Sequence, residues 1–375
     1  MSFPSINKAL ELTAFGAPLK PLELPIPEAT SGSVVTRVLA APIVPYTYYV
    51  HSGIIHQLKL KPPFIPNSAS IGRVHSVGPD AVRLKPGDLV FIKSQIHARD
   101  YPQAKVVPGH INGASPEAQK LMDGEFGSGA FQQYQKVPME NCLKLDESRL
   151  CNALGYTPAI LQSLTMYTVA AGAIIEAADL KAAETIVIGP SGGAFSGLAV
   201  EVALALGANV IALGRNEKKL ADFKKTVNNP RLQYVVMTGD DDVDTAAILA
   251  KTPDGEGAEV FNDWTPGECS EALWLGPGSR VLKLGGRIVL SGGTPGGLGA
   301  INYAEAGFKD LLIISKWVCN RATTERLISI ITQGFLKIGA ESGTRVKVYG
   351  LDKAAEAIEY AKDNGGWRHY TVMSP

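Results

Sequence analysis

The rhythm of hydrophobic and polar positions changes near the middle of the chain. From about residue 8 to residue 95 short apolar runs alternate with Pro and Gly punctuation, the pattern of a β-rich unit. Ser33–Leu39, Ser70–Val77 and Leu89–Ile92 read as strands, with the turn Lys85-Pro86-Gly87-Asp88 before the third. No helix of length is expected before about Pro116. Residues 96–128, with many Gly, Pro and His, read as an irregular excursion, and Gly129–Val137 as a further strand. Thr157–Glu176 reads as a helix built of small residues. From Lys181 to about Val318 strands and helices alternate, with strands at Ile186, Val210, Tyr234–Met237, Glu259–Phe261 and Arg287–Ser291. That alternation predicts an α/β fold with a doubly wound parallel sheet. The acidic run Gly239–Asp244 reads as a solvated loop. Residues 323–338 and Asp352–Asn364 read as helices, and His369–Met373 as a closing strand.

One stretch inside the alternating half, Glu184–Lys219, carries chemistry. The β-branched run Thr185–Ile188 leads into Gly189, Gly192, Gly193 and Gly197; an apolar helix Leu198–Leu206 follows, then Gly207 and a second strand Asn209–Leu213. A strand-turn-helix of this kind aims unpaired N–H groups and the positive end of the helix dipole at a pyrophosphate, and glycines admit the backbone close to it. The spacing G-x-x-G-G-x-x-x-G departs from the G-x-G-x-x-G dinucleotide fingerprint, so the β-turn-α-β setting of a Rossmann unit carries the inference. At the end of the second strand stand Gly214-Arg215-Asn216, then Lys218 and Lys219, with no carboxylate at the strand tip. Arg215 offers a planar fork suited to a 2′-phosphate, which favours NADPH over NADH. The expected cofactor contacts are Gly189, Ser191, Gly192, Gly193, Ala194 and Phe195 at the turn, and Arg215, Asn216 and Lys219 at the phosphate. Asn262, Ser291, Gly292 and Gly293 follow later strand ends, where sheet ligands lie. Asn262-Asp263-Trp264 also reads as an ordinary turn, with Asp263 capping a helix.

Length and charge narrow the classes. A chain of 375 residues points to two domains. Lys plus Arg and Asp plus Glu each number 36, which argues against nucleic acid or an anionic membrane as the main partner. The apolar run Leu198–Leu213 is interrupted by Glu201 and Asn209, short of the roughly 20 residues of a membrane span. The start, MSFPSINKALEL, lacks the charged-then-apolar pattern of a secretory signal. A cytoplasmic protein is expected. Cys142, Cys151, Cys269 and Cys319 form no C-x-x-C pair, and His51, His56, His75, His97, His110 and His369 have no metal spacing.

A β-rich N-terminal part followed by a Rossmann unit resembles the medium-chain dehydrogenase/reductase superfamily over nearly the whole chain. Leu84–Val90 is similar to its "LKPGDxV" turn, Ser70–Gly78 to its "GxVxxVG" strand, Gly129–Val137 to "GxFAEY", Leu164–Thr168 to "LTAYT" and Lys283–Gly293 to "LxxGGRxVxxG". The resemblance implies a GroES-like catalytic domain from residues 1–155 and 322–375, and a Rossmann domain from 156–321. It places Thr168 near the nicotinamide. In the zinc-dependent branch the catalytic Cys falls on Val44 here, and Gly-His-Glu falls on Asn67-Ser68-Ala69. Neither valine nor alanine ligates zinc, and serine does not replace an imidazole. The chain thus resembles the zinc-free quinone oxidoreductases and enoyl reductases, with Val44–Gly53 similar to their "NPxDxxxRxG". No metal ligand is expected.

Without a Lewis acid, hydride transfer to an enone or quinone is easier than to a plain ketone, since the charge delocalises onto oxygen and needs only donors and a later proton. By the same resemblance the 44–49 segment faces the nicotinamide. Tyr46, then Tyr48, are the candidate donors, with His51 beside them. Two other readings stand beside this one: a zinc-free carbonyl reductase or alcohol dehydrogenase, and a non-catalytic NADPH-binding subunit. A small-molecule substrate is expected in the first two. A homodimer through an edge strand near Ile288–Leu290 is plausible.

Overall fold

The computed structural model describes residues 6–55, 58–113 and 115–375, so the first five residues and His56 lie outside the described residues. Two compact units form, one from the start of the chain to Thr165 and again from Ile338 to Pro375, the other from Met166 to Lys337. The sequence places these boundaries at 155/156 and 321/322.

The first unit is built on antiparallel strands. A hairpin of β1 (Ile6–Glu11) and β2 (Lys20–Pro25) is followed by β3 (Ser33–Ile43), the short helix α1 (Thr47–His51), β4 (Ser70–Val77) and β5 (Leu89–Ile92). The excursion contains the two-residue ladder of β6 (Ile96–His97) and β7 (Lys105–Val106), and the helix α2 (Pro116–Met122). Strands β8 (Tyr134–Pro138) and β9 (Cys142–Lys144) and the helix α3 (Pro158–Leu161) complete the N-terminal part. β3 is the spine, pairing with β4 on one side and β8 along its first half, while Val34, Val35, Val38, Ala40 and Ala41 are buried to within 2%.

The second unit begins in α4 (Leu164–Ala171) and then alternates: β10 (Thr185–Gly189), α5 (Ser196–Ala205), β11 (Asn209–Gly214), α6 (Glu217–Val227), β12 (Leu232–Val236), α7 (Asp241–Leu249), β13 (Ala258–Asp263), α8 (Leu275–Arg280), β14 (Leu282–Leu290), α9 (Tyr303–Phe308), β15 (Leu312–Ser315) and α10 (Arg321–Thr332). Its six strands are all parallel, in the order β12-β11-β10-β13-β14-β15. The order reverses between β10 and β13, the switch point where such sheets bind ligands. The first unit then resumes with β16 (Arg345–Tyr349), α11 (Ala354–Asn364) and β17 (His369–Met373), which pairs with the far end of β3. The expected α/β class, a Rossmann parallel sheet in the second unit beside a β-rich first unit, is the observed one.

Four local expectations are corrected. Thr157–Glu176 is broken at Gln162-Ser163 into α3 and α4, and its last turn, from Gly172, is wider than an α-helix. The 20-residue span Pro158–Ala177 nonetheless has the length and apolarity of a membrane span, yet 72% of its most apolar 18-residue window is buried in protein, as a core segment is. The acidic run is a helix start rather than a loop. Asp240 accepts from the N–H groups of Asp242 and Val243 at 3.0 Å each, and carboxylates in a first turn favour the helix dipole. Asp244, 1% exposed, folds back onto Thr238 N, Thr238 Oγ1 and Gly239 N at 2.8, 2.8 and 3.0 Å. Asp263 does not cap a helix; its carboxylate accepts from the Thr265 hydroxyl at 2.7 Å. Finally, Ile288–Leu290 is not at the sheet edge, since β15 pairs outside it.

Candidate functional site

In the second unit the switch point is flanked by the glycine turn. Gly189 ends β10 where a Cβ would come within 2.8 Å of the Trp274 ring, so only glycine fits between the strands and that indole. The next residues lock the turn. Ser191 donates to Leu213 O from both its N–H and its hydroxyl, at 2.8 and 2.9 Å, and Gly193 N donates to Ser196 Oγ at 3.0 Å. The Ser191 side chain and the Gly193 N–H are therefore already used, and neither is a free cofactor donor. The N–H groups of Gly192, Ala194 and Phe195 keep no acceptor among the described residues. No side chain caps α5, which starts at Ser196, so an anion is the natural complement at its N-terminus.

At the tip of β11 Arg215, Lys218 and Lys219 are exposed and form no ion pair among the described residues. Asn216 serves the backbone instead, its Oδ1 accepting from Lys219 N at 2.9 Å as the N-cap of α6. At the tip of β13 Asn262 is fully buried. It donates to Val289 O and Ser291 Oγ at 2.9 and 3.1 Å, and accepts from Trp264 Nε1 at 2.6 Å. Its amide bonds inside the protein and braces the indole. That indole lies parallel to Phe195, ring centroids 6.4 Å apart and planes 8° off parallel. Asp263 is 3% exposed, and burial raises its pKa against the opposing bonds from Thr265. Gly293 N donates to Thr265 O at 2.8 Å, and a Cβ on Gly292 would sit 2.3 Å from that oxygen; both glycines build the loop. Ser291 N donates to Asp263 O at 2.9 Å. Thr168, 2% exposed, lies within α4 and accepts from Cys319 N at 3.1 Å on its carbonyl.

In the first unit Tyr46 stands at the start of α1. Its ring lies 5.5 Å from that of His110, tilted by 50°. Part of the Tyr46 side chain stays accessible, but protein surrounds the hydroxyl, and that desolvation pushes its pKa up to about 12. His51 closes α1, 9% exposed, edge-on to Phe131 with ring centroids 6.5 Å apart. Burial, and secondarily the charge of His110, lowers its pKa to about 4; burial alone lowers that of His110 to about 4. The result is a phenol and two imidazoles that are all uncharged at neutral pH. The sequence did not single out His110. It arrives from the excursion behind Gly109, whose φ of +64° no side chain tolerates there, since a Cβ would lie 2.4 Å from Ile65 O. Tyr48 is parted from this group. It packs against the core beneath α11, with Lys362 Nζ 4.3 Å above its ring and Tyr49 edge-on at 5.5 Å. Val44 is half-buried, Ser68 is 9% exposed and Ala69 is fully buried. Among the described residues no three His, Cys, Asp or Glu side chains gather as a metal-holding group.

Residues 30–147 match the family described as alcohol dehydrogenase GroES-like domain, the span from just before β3 through β9. The chain is similar to an NAD-dependent alcohol dehydrogenase of Sulfurisphaera tokodaii, 23% identical over 292 residues that cover 76% of this chain and 78% of the relative. It is similar also to an alcohol dehydrogenase of a Moraxella species, 25% identical over 294 residues, 77% of this chain and 78% of that one. Among solved structures, AibC aligns with a TM-score of 0.78 at 20% identity, over 100% of this chain and 97% of the other. The fold is that of a GroES-like unit joined to a Rossmann unit. Together these likenesses support the medium-chain dehydrogenase/reductase superfamily for the chain.

Proposed function

We propose that the chain is an NADPH-dependent, zinc-independent oxidoreductase that reduces a conjugated carbonyl or a quinone. The observation that supports this reading is the uncharged group of Tyr46, His51 and His110, together with Val44, Ser68 and Ala69 at the positions where the resemblance puts the zinc ligands of the zinc-dependent branch. The glycine turn fits a pyrophosphate through the N–H groups of Gly192, Ala194 and Phe195, and Arg215 and Lys219 fit a 2′-phosphate. When bound, the reduced nicotinamide supplies the hydride. Tyr46, a phenol at every pH below about 12, holds the proton that the developing enolate takes up at oxygen. The neutral imidazole of His110 packs on that phenol without adding charge.

The names of the relatives favour a second reading, an alcohol dehydrogenase or carbonyl reductase using NAD(H). One panel separates the two: oxidation of NADPH and of NADH with quinones, enones and ketones, and the reverse reaction with alcohols. Enone or quinone turnover that prefers NADPH supports the first reading; alcohol oxidation with NAD⁺ supports the second. Tight NADPH binding with no turnover makes the chain a binding subunit. Arg215→Ala should weaken NADPH by about 1–3 kcal/mol, the scale of a charge-assisted hydrogen bond, and leave NADH almost unchanged. Equal weakening of both removes the 2′-phosphate assignment.

A further inference from the structure

The chain carries the pair Asn-Gly twice, at Asn112-Gly113 and at Asn364-Gly365. In this pair a backbone nitrogen can attack the preceding side-chain amide with least hindrance, because glycine has no Cβ to shield its N–H. The fold treats the two copies differently, although both lie in the first unit. Asn112 is 2% exposed and clamped at both ends. Its N–H donates to Leu58 O at 3.1 Å, and its Nδ2 donates to Gln119 Oε1. Gly113 has a φ of +79°, and a Cβ there would lie 2.5 Å from that of Ala118, so the backbone has no room to turn. Asn364 is exposed and is the last residue of α11. One bond holds its side chain, from Nδ2 back to Tyr360 O at 3.0 Å, and that bond is exposed to water. Gly365 is already outside the helix, with φ −72° and ψ 148°, and its N–H has no acceptor among the described residues. For the nitrogen to reach the amide, only the terminal residue of the helix has to leave helical geometry, and terminal residues fray at the least cost.

We propose that Asn364 is a site of spontaneous deamidation and that the fold protects Asn112 from the same reaction. The Gly365 nitrogen bonds to Cγ of Asn364, the Cγ–Nδ2 bond breaks, and the amide leaves as ammonia with the proton that Gly365 gives up. Water then opens the five-membered imide at either carbonyl. One product is an ordinary aspartate at position 364; the other is an isoaspartate, whose main chain runs through the former side-chain carbon. Both set a new carboxylate beside Asp363 at the C-terminal end of α11, where the helix dipole disfavours anions. The isoaspartate also adds a carbon to the main chain just before Gly365, where a Cβ would already overlap the Pro45 ring. Pro45 leads into Tyr46 and α1, so the added length presses on the segment that carries the phenol.

Ageing of the full chain tests this. The folded protein, and the same protein unfolded in guanidinium chloride, are held at about pH 8 and about 37 °C for about two weeks. Samples are mapped by peptide mass spectrometry, with aspartate and isoaspartate separated by chromatography. In the folded protein the peptide that holds Asn364 should gain the mass of an amide-to-acid exchange at least tenfold faster than the peptide that holds Asn112. In the unfolded chain the two rates should fall within about threefold of each other, since the dipeptide is the same. Asn364→Gln, whose longer side chain would have to close a six-membered ring, should lose the fast reaction. A folded rate ratio below tenfold overturns the proposal. So does a tenfold ratio that persists after unfolding, or a mass gain at position 364 that survives Asn364→Gln. None of these readings needs turnover, so the result is independent of the activity proposed above.

Discussion

In the first unit Tyr46 packs on His110, and His51 is a second buried imidazole that feels the charge of His110. Tyr46→Phe removes the hydroxyl and keeps the ring against His110. On the scale of general acid catalysis it should lower kcat about 10²–10⁴-fold with little change in NADPH affinity. A loss under threefold, in stopped-flow turnover of the best substrate, would remove Tyr46 from the proton's path. The two imidazoles make a separate prediction about stability. Each has a folded pKa of about 4, below the unfolded value of 6.5. Between those values the unfolded chain binds more protons than the folded one. Stability is then fully present above about pH 6.5 and falls as the pH drops toward 4, by on the order of 3 kcal/mol for each imidazole. Urea melts from pH 7 to pH 4.5 should show this slope, and His110→Gln should flatten it. The Tyr46 half of the group is legible in the sequence, because the segment from Val44 to Gly53 lies together in the chain. His110 is not. More than fifty residues separate it from His51, and the left-handed Gly109 that aims it looks like any loop glycine.

Helix ends account for most of the differences between sequence and structure among the elements. Asp240 and the acids after it have the composition of a solvated loop, yet an Asp followed by a carboxylate-rich first turn is also a helix-start signature. Asn216 follows the same rule, capping α6 where a phosphate contact is expected from the sequence. Both readings are available in the same residues, and what decides between them is whether the side chain finds a backbone N–H. The strands are easier. Thr185–Gly189 is buried along its whole length, and a fully buried parallel strand reads as an unbroken apolar run. Asp244 supplies a test of the helix α7. Asp244→Ala leaves Thr238 N and Gly239 N without their acceptor and should cost about 2–4 kcal/mol in chemical denaturation. Val243→Ala on the preceding position, 53% exposed, should stay within about 0.5 kcal/mol. Equal effects of the two would mean that the bonds of Asp244 do not hold the start of the helix.

At the scale of the whole molecule the outermost strand of the parallel sheet stands out. β15 pairs with β14 on one side only, carries no charge or proline, and exposes Leu312 by 54% and Ile313 by 43%. Beside it in sequence, Tyr303 is 94% and Phe308 85% exposed. An apolar, uncharged edge of this kind is a pairing surface, and a second copy of the chain about a two-fold axis is the simplest occupant. Sedimentation velocity should find a homodimer. Ile313→Lys should return it to the 39.8 kDa monomer without loss of secondary structure, and an unchanged wild-type monomer at micromolar concentration would dispose of the idea.

The first unit is closed by the last strand of the chain. Thr371, Val372 and Met373 of β17 pair with Ile43, Pro42 and Ala41 of β3, and Val372 and Met373 are fully buried. During synthesis, then, the parallel-sheet unit emerges complete and uninterrupted while residues 41–43 of β3 still lack their partner strand. A ribosome that stops after residue 337 would release one finished half and one half with the far end of its spine strand unpaired and open to aggregation. Removing only the final handful of residues should therefore harm solubility out of proportion to their number.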